Sequence, residues 1–144
     1  MLMDNQYFCE PYSDNNLKYD EESGRYIITE DGLTSKGIYL RSRIDRYGGE
    51  YADTIISSFC EVVSTHVYNY IMNFATNPEH LEYAIAHNKK LRRVIYNAQA
   101  EQAKYVFFNG DTTLSNKAEE RQNYMGKIAA DILSNAGLTY SGGF

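Results

Sequence analysis

The side chains of this chain that could do acid–base, nucleophilic or metal chemistry are His66, His80 and His87, Cys9 and Cys60, and serines such as Ser57, Ser58 and Ser64. Their spacing assembles none of those functions. His80 and His87 lie seven residues apart, so a helix would place them roughly on one face, but no HExxH pattern accompanies them. The neighbouring Glu79 and Glu82 read as charges that complement the start of a helix dipole. His66 interrupts the edge of an apolar stripe and reads as a hydrogen-bonding group on a helix surface. The three serines fall inside a helical pattern, where a nucleophile elbow cannot form. Gly48-Gly49 and Gly142-Gly143 lack the lysine and the strand–turn–helix context of a phosphate loop. Cys9 and Cys60 stand far apart with no second thiol near either, so a metal pair, a redox pair and a disulfide are not expected. Cys60 falls on the apolar face of a helix, where a free thiol behaves as a small hydrophobe. That usage suits a reducing compartment. No catalytic residue, metal ligand or cofactor is expected.

Two features suit binding instead. Lys89, Lys90, Arg92 and Arg93 put four cations into five positions at the start of a helix, where the dipole disfavours positive charge. They read as a solvated helix start, or as a face for an acidic partner, including the acidic part of a neighbouring copy. The second feature is the run Asn135 to Phe144. A helix ends there on Gly137, with Leu138 placed for the apolar contact of a left-handed cap, and Tyr140 and Phe144 follow.

A chain of 144 residues fits one domain and can bury a core without disulfides. Its net charge of −5 makes it a poor candidate for gripping nucleic-acid phosphates. The charge is uneven: residues 1–76 carry a net −6 and residues 77–144 a net +1. Fourteen tyrosines and no tryptophan favour half-wet contact surfaces. No apolar run approaches the ~20 residues that a membrane helix needs, and no secretory signal pattern opens the sequence, so a soluble intracellular product is expected.

The elements that must position these groups follow from periodicity. Residues 1–18 read as an extended arm, and Tyr19 to Ile28 as two short extended pieces around Gly24, paired or irregular. Thr29 followed by Glu30 and Asp31 starts a short helix that Gly37 stops, and Ile38 to Arg46 is a second short segment. Ala52, Ile55, Ile56, Phe59, Val63, Val67, Tyr70, Ile71 and Phe74 trace one apolar stripe, which predicts a core helix over 51–75. Asn77-Pro78 opens a helix over 78–87 with Leu81, Tyr83, Ala84 and Ile85 inward. A further helix spans 89–109, with an apolar side that includes Leu91, Ile95, Ala98, Val106 and Phe108. The last runs from Tyr124 to Asn135 on Ile128, Ala129, Ile132 and Leu133. The predicted fold is all-α: a small helical bundle over 29–137, an extended N-terminal arm over 1–28 and a short C-terminal tail over 138–144.

Three segments together resemble the head–tail connector, or adaptor, proteins of tailed bacteriophages. They are Tyr19-Asp20 with Gly24 to Glu30; Ser64 and Val67 to Ile71; and Ala100 to Asp111 with Arg121 and the closing Ile132 to Gly142. The resemblance implies a small helical protein that is no enzyme. It would form a homo-oligomeric ring, typically of twelve, between the portal protein and a downstream tail protein in the virion neck. The genomic DNA would pass through without sequence-specific binding. In such a role the aromatic tail makes Leu138, Tyr140 and Phe144 the expected portal contacts, and charge makes Lys89, Lys90, Arg92 and Arg93 the expected partners of a neighbouring subunit's acidic front. The competing expectations are another neck component, such as a stopper or tail-completion protein, and a small helical regulator that binds DNA or protein.

Overall fold

The computed structural model describes residues 15–44, 49–108 and 125–139. Within them the chain runs β1 (Leu17–Asp20), β2 (Arg25–Ile28), α1 (Glu30–Ser35), α2 (Leu40–Ile44), α3 (Gly49–Met72), α4 (Pro78–His87), α5 (Lys89–Phe108) and α6 (Lys127–Asn135). The two strands form an antiparallel hairpin with Leu17 opposite Ile28 and Tyr19 opposite Tyr26. The all-α expectation is therefore corrected to a mostly helical fold carrying a small sheet. Its turn is built by Asp20, whose carboxylate accepts from the Ser23 hydroxyl at 2.7 Å, and by Gly24 at φ 69°, a left-handed conformation that glycine adopts without a Cβ penalty. Leu17 and Ile28 sit in the core at 3% and 1% exposure, so this part of the 1–28 segment packs on the domain.

Helix boundaries follow the local signals. Thr29 caps α1 by accepting from the Gly32 N–H at 3.1 Å. The Asn77 side chain accepts from the His80 N–H at 3.1 Å, and Pro78 opens α4. Gly137, at φ 81°, ends α6, and the Leu138 N–H donates to the Leu133 carbonyl at 3.0 Å. That is the six-to-one bond of a glycine cap, with Leu138 buried as its apolar partner. The same bond closes α1, from the Ile38 N–H to the Leu33 carbonyl.

The stripe on α3 packs as its period predicts, with Ala52, Ile56, Phe59, Val63, Val67 and Ile71 buried. Tyr68, absent from that stripe, is buried as well. Three other inward expectations fail. Tyr83, Phe108 and Ile128 are 65%, 69% and 47% exposed. Tyr83 stacks on His87 at 4.0 Å between ring centroids, an i,i+4 pair along the outside of α4. The last helix starts at Lys127 and not at Tyr124: Met125 and Gly126 precede it, Gly126 being its extended N-cap, and Tyr124 lies outside the described residues.

Helix α5 is the hub, buried along most of its length from Leu91 to Val106. Three polar side chains on it, three residues apart, reach three different places. The Tyr96 hydroxyl donates to the Gly32 carbonyl of α1 at 3.3 Å. Gln99 accepts from the Ile28 N–H at 2.8 Å and donates to the Tyr26 carbonyl at 2.8 Å. Gln102 accepts from the Gly126 N–H at 2.8 Å and pairs with His66 Nδ1 of α3 at 3.0 Å. The amide of Gln99 thus occupies the side of β2 that faces away from β1, and the Tyr68 hydroxyl accepts from the Tyr26 N–H at 3.3 Å beside it. An open strand edge is closed by side chains instead of by a third strand.

Close approach supports the same joint. A Cβ on Gly32 would stand 2.6 Å from the Asn16 carbonyl oxygen and 2.8 Å from Ile28, so α1 can lie against the hairpin because that residue has none. Replacing Gln99 by Leu leaves the buried Ile28 N–H without its acceptor and leaves the part-buried Tyr26 carbonyl only its weak bond from Ser64. The first loss costs about 1–3 kcal/mol and the second less, so urea unfolding of Gln99→Leu should show a loss of about 2–4 kcal/mol.

Candidate functional site

The residues singled out for chemistry are dispersed. His66 is buried at 6% exposure against Gln102, which corrects its expected place on the helix surface: α3 turns it toward α5. His80 and His87 are exposed on α4, and the His87 Nδ1 is held by the Tyr83 carbonyl at 2.9 Å. Ser57 and Ser58 are exposed, whereas Ser64 is buried and donates weakly to the Tyr26 carbonyl at 3.4 Å. Among the described residues no group of three or more histidine, cysteine, aspartate or glutamate side chains could hold a metal ion. Cys60 is a free thiol inside the core, as its place on the apolar face of the helix predicts. Cys9 lies outside the described residues.

The basic run separates into two kinds of residue. Asn88 caps α5, its side-chain oxygen accepting from the N–H groups of Lys90 at 3.0 Å and Leu91 at 3.3 Å. Arg92 reaches back across this junction and donates to the carbonyls of Ile85 at 2.9 Å and Ala86 at 2.7 Å. Its guanidinium also lies 5.7 Å from the centroid of the Tyr26 ring. Arg92 is therefore a structural tie between α4, α5 and the hairpin. Arg93 is half-buried, with its Nε enclosed and without a hydrogen-bond partner among the described residues. Lys89 and Lys90 are exposed, and among the described residues neither ammonium forms an ion pair. They are the most exposed members of the expected cationic face.

The C-terminal expectation divides in a similar way. Leu138 is 2% exposed and belongs to the core cluster, so it offers no surface to a partner. Its docking role is corrected for the same reason that it caps α6 well: the contact it makes is with its own domain. Tyr140 and Phe144 lie outside the described residues.

A pocket that the sequence did not suggest lies under the outer face of the hairpin, with a volume of about 290 Å³. Lys18, Ile27, Glu30, Arg41, Asp53 and Cys60 are among its lining residues. Arg41 is gripped there from two sides. Its Nε and one terminal nitrogen donate to the two Glu30 carboxylate oxygens at 2.8 and 2.9 Å, and the same terminal nitrogen also bonds Asp53. The hydrogen bonds to Glu30 and then Asp53 hold the guanidinium more firmly protonated than usual. The fork ties α1, α2 and the start of α3 together, which is geometry that an Arg-to-Lys change could not reproduce. Arg41 is thus already paired with carboxylates, and the Cys60 thiol in the same lining is buried. Burial pushes the Cys60 thiol up to about 12 from an ordinary 9.0. No signal in spacing could have found this cluster, because residues 30, 41, 53 and 60 come together only through the turns between three helices.

Comparison with protein-family models, with curated proteins and with solved structures returns no match for this chain.

Two tests follow from this geometry. Arg92→Ala should lose about 1–3 kcal/mol in urea unfolding, since it removes charge-assisted bonds to helix-end carbonyls. Lys89→Ala and Lys90→Ala should stay within about 0.5 kcal/mol of the parent. The second test is alkaline. Burial raises Tyr68 from 10.0 to about 12 as it raises Cys60. The unfolded chain therefore releases these protons first, and stability falls as pH rises. The loss should begin near pH 9 with the thiol, steepen above 10 with the phenol, and run to about 12. Cys60→Ala should flatten the part between 9 and 10 in urea midpoints measured against pH.

Proposed function

We propose that this chain is a structural subunit of a bacteriophage neck, a head–tail connector that forms a ring between portal and tail. The observation that supports the reading is where the resembling segments fall. Gly24 to Glu30 contains the β2 edge that Gln99 holds and the Thr29 cap. Ser64 and Val67 to Ile71 contain Tyr68, the other side chain on that edge. Ala100 to Asp111 contains Gln102, and Ile132 to Gly142 contains the glycine cap with buried Leu138. These short motifs coincide with the joints of the fold, as they would if a shared architecture kept them. A mostly helical body favours a connector over a stopper or tail-completion protein, which are more often β-rich.

The electrostatics suit a conduit. A chain of net charge −5 repeated around a channel would repel DNA phosphates and let the genome slide. A closed ring of identical copies also needs two unlike faces on each subunit. Exposed Lys89 and Lys90 supply one candidate face, and the acidic first half of a neighbouring copy supplies the other. Tyr140 and Phe144 remain the candidates for contact with the portal, without Leu138.

The reading is tested by adding the full chain to phage heads that carry a portal but lack a connector, and imaging the vertex by electron microscopy. A ring seated on the portal is expected. Bare portals at saturating protein would overturn the reading. In the same assay Lys89→Glu with Lys90→Glu should reduce occupancy about tenfold, the effect of about 1.4 kcal/mol, while circular dichroism stays unchanged.

A further inference from the structure

A second cavity, of about 620 Å³, opens between α2, α3 and the C-terminal end of α5. Its size falls within the ~300–1,000 Å³ of ordinary binding clefts. Leu40, Ile44, Ile55, Phe59 and Phe107 give it a mostly apolar lining. Tyr51 borders it at 55% exposure. One cation lines it: Arg43, whose guanidinium lies 4.8 Å from the Phe107 ring centroid. Unlike Arg41, Arg43 is exposed and has no carboxylate partner among the described residues. An apolar groove with an unneutralised arginine calls for an occupant with aromatic side chains and negative charge.

We propose that the occupant is the N-terminal segment of the same chain, residues 1–14. Its chemistry matches on both counts: Met1, Leu2, Met3, Tyr7, Phe8 and Tyr12 are apolar or aromatic, and Asp4, Glu10 and Asp14 are acidic, with no basic side chain among the fourteen residues. The other outlying end, residues 140–144, brings Tyr140 and Phe144 but no acidic side chain. The tether also permits it. The Asn15 carbonyl accepts from the Thr29 hydroxyl at the start of α1, and α1 leads through buried Ile38 into α2, one wall of the groove. Fully extended, the seven steps from Asn15 to Phe8 span up to ~23 Å and the thirteen to Leu2 up to ~43 Å. A tether of that length holds its own segment at an effective concentration of about millimolar, so the same chain outcompetes a second copy in dilute solution.

The test uses the full-length chain enriched in ¹⁵N, with a nitroxide attached through Cys9; Cys60 is 5% exposed and stays unmodified. Amide signals of Ile44, Tyr51, Ile55 and Phe107 should weaken about twofold or more relative to those of α4, as a tethered segment seated beside them requires. Arg43→Glu should abolish that contrast, and Arg43→Lys should retain most of it. Uniform weakening, or weakening centred on another face, would overturn the proposal. So would weakening that appears only when spin-labelled chain without ¹⁵N is mixed with unlabelled ¹⁵N chain, since the groove would then belong to a neighbour's segment.

Discussion

The fold depends on a single amide. A two-stranded hairpin is marginal by itself in water, and its outer strand presents main-chain groups that need partners once they are buried. Gln99 meets both the Ile28 N–H and the Tyr26 carbonyl at 2.8 Å, doing with one side chain what a third strand would do with its backbone. Primary amides suit this task because they carry a donor and an acceptor side by side, as a peptide does. A carboxylate could only accept, and an aliphatic residue could do neither. Gln99 is fully buried, so water cannot stand in for it, and the hairpin is coupled to the hub helix as firmly as a strand to its neighbour.

The same device recurs one turn later. Gln102 joins the hub helix to His66 and to the N–H of Gly126, the residue that precedes α6. Gly126 lies so close to the Tyr105 ring that an added Cβ would meet it at 3.0 Å. The place of Gly126 against α5 is thus fixed by a hydrogen bond and by the absence of a side chain at one position. Tyr96, Gln99 and Gln102 form a polar seam inside a helix whose neighbours surround it, and each connects a different part of the sequence. Such a seam specifies one arrangement of its neighbours, since a slipped helix would leave three buried polar groups without partners.

That seam also explains how far the sequence could be read. Apolar period placed α3, the Asn77-Pro78 pair placed the start of α4, and Gly137 with Leu138 placed the end of α6, because each is a local signal with a local cause. The hub helix was legible as a helix but not as the hub. Its inward face carries glutamines, and period counting assigns glutamine to solvent. The converse error occurs at Tyr83, Phe108 and Ile128, apolar residues at helical spacing that stay largely exposed. The hairpin was legible as two extended pieces about Gly24. Whether they paired turned on residue 99, more than seventy positions away, which no local pattern encodes. The Glu30–Arg41–Asp53 fork was invisible for the same reason.

The basic run shows how tertiary placement changes the meaning of a sequence pattern. Four cations at the start of a helix oppose its dipole, by about 0.3–1 kcal/mol each at an exposed site. In the fold, however, α5 starts two residues after α4 ends, so the run sits where the negative end of one helix meets the positive end of the next. Arg92 makes that explicit, donating to the last carbonyls of α4 while Asn88 caps the N–H groups of α5. The apparent penalty is thereby offset within the domain, and it no longer argues for a partner. What argues for one is narrower. Lys89 and Lys90 point their charge outward with no described carboxylate to answer it, on the half of an acidic chain that carries the small positive excess. Any contact between copies of this chain that joins unlike halves would bring that excess against the acidic first half, and two lysines on a rigid, capped helix start are held where such a contact can use them.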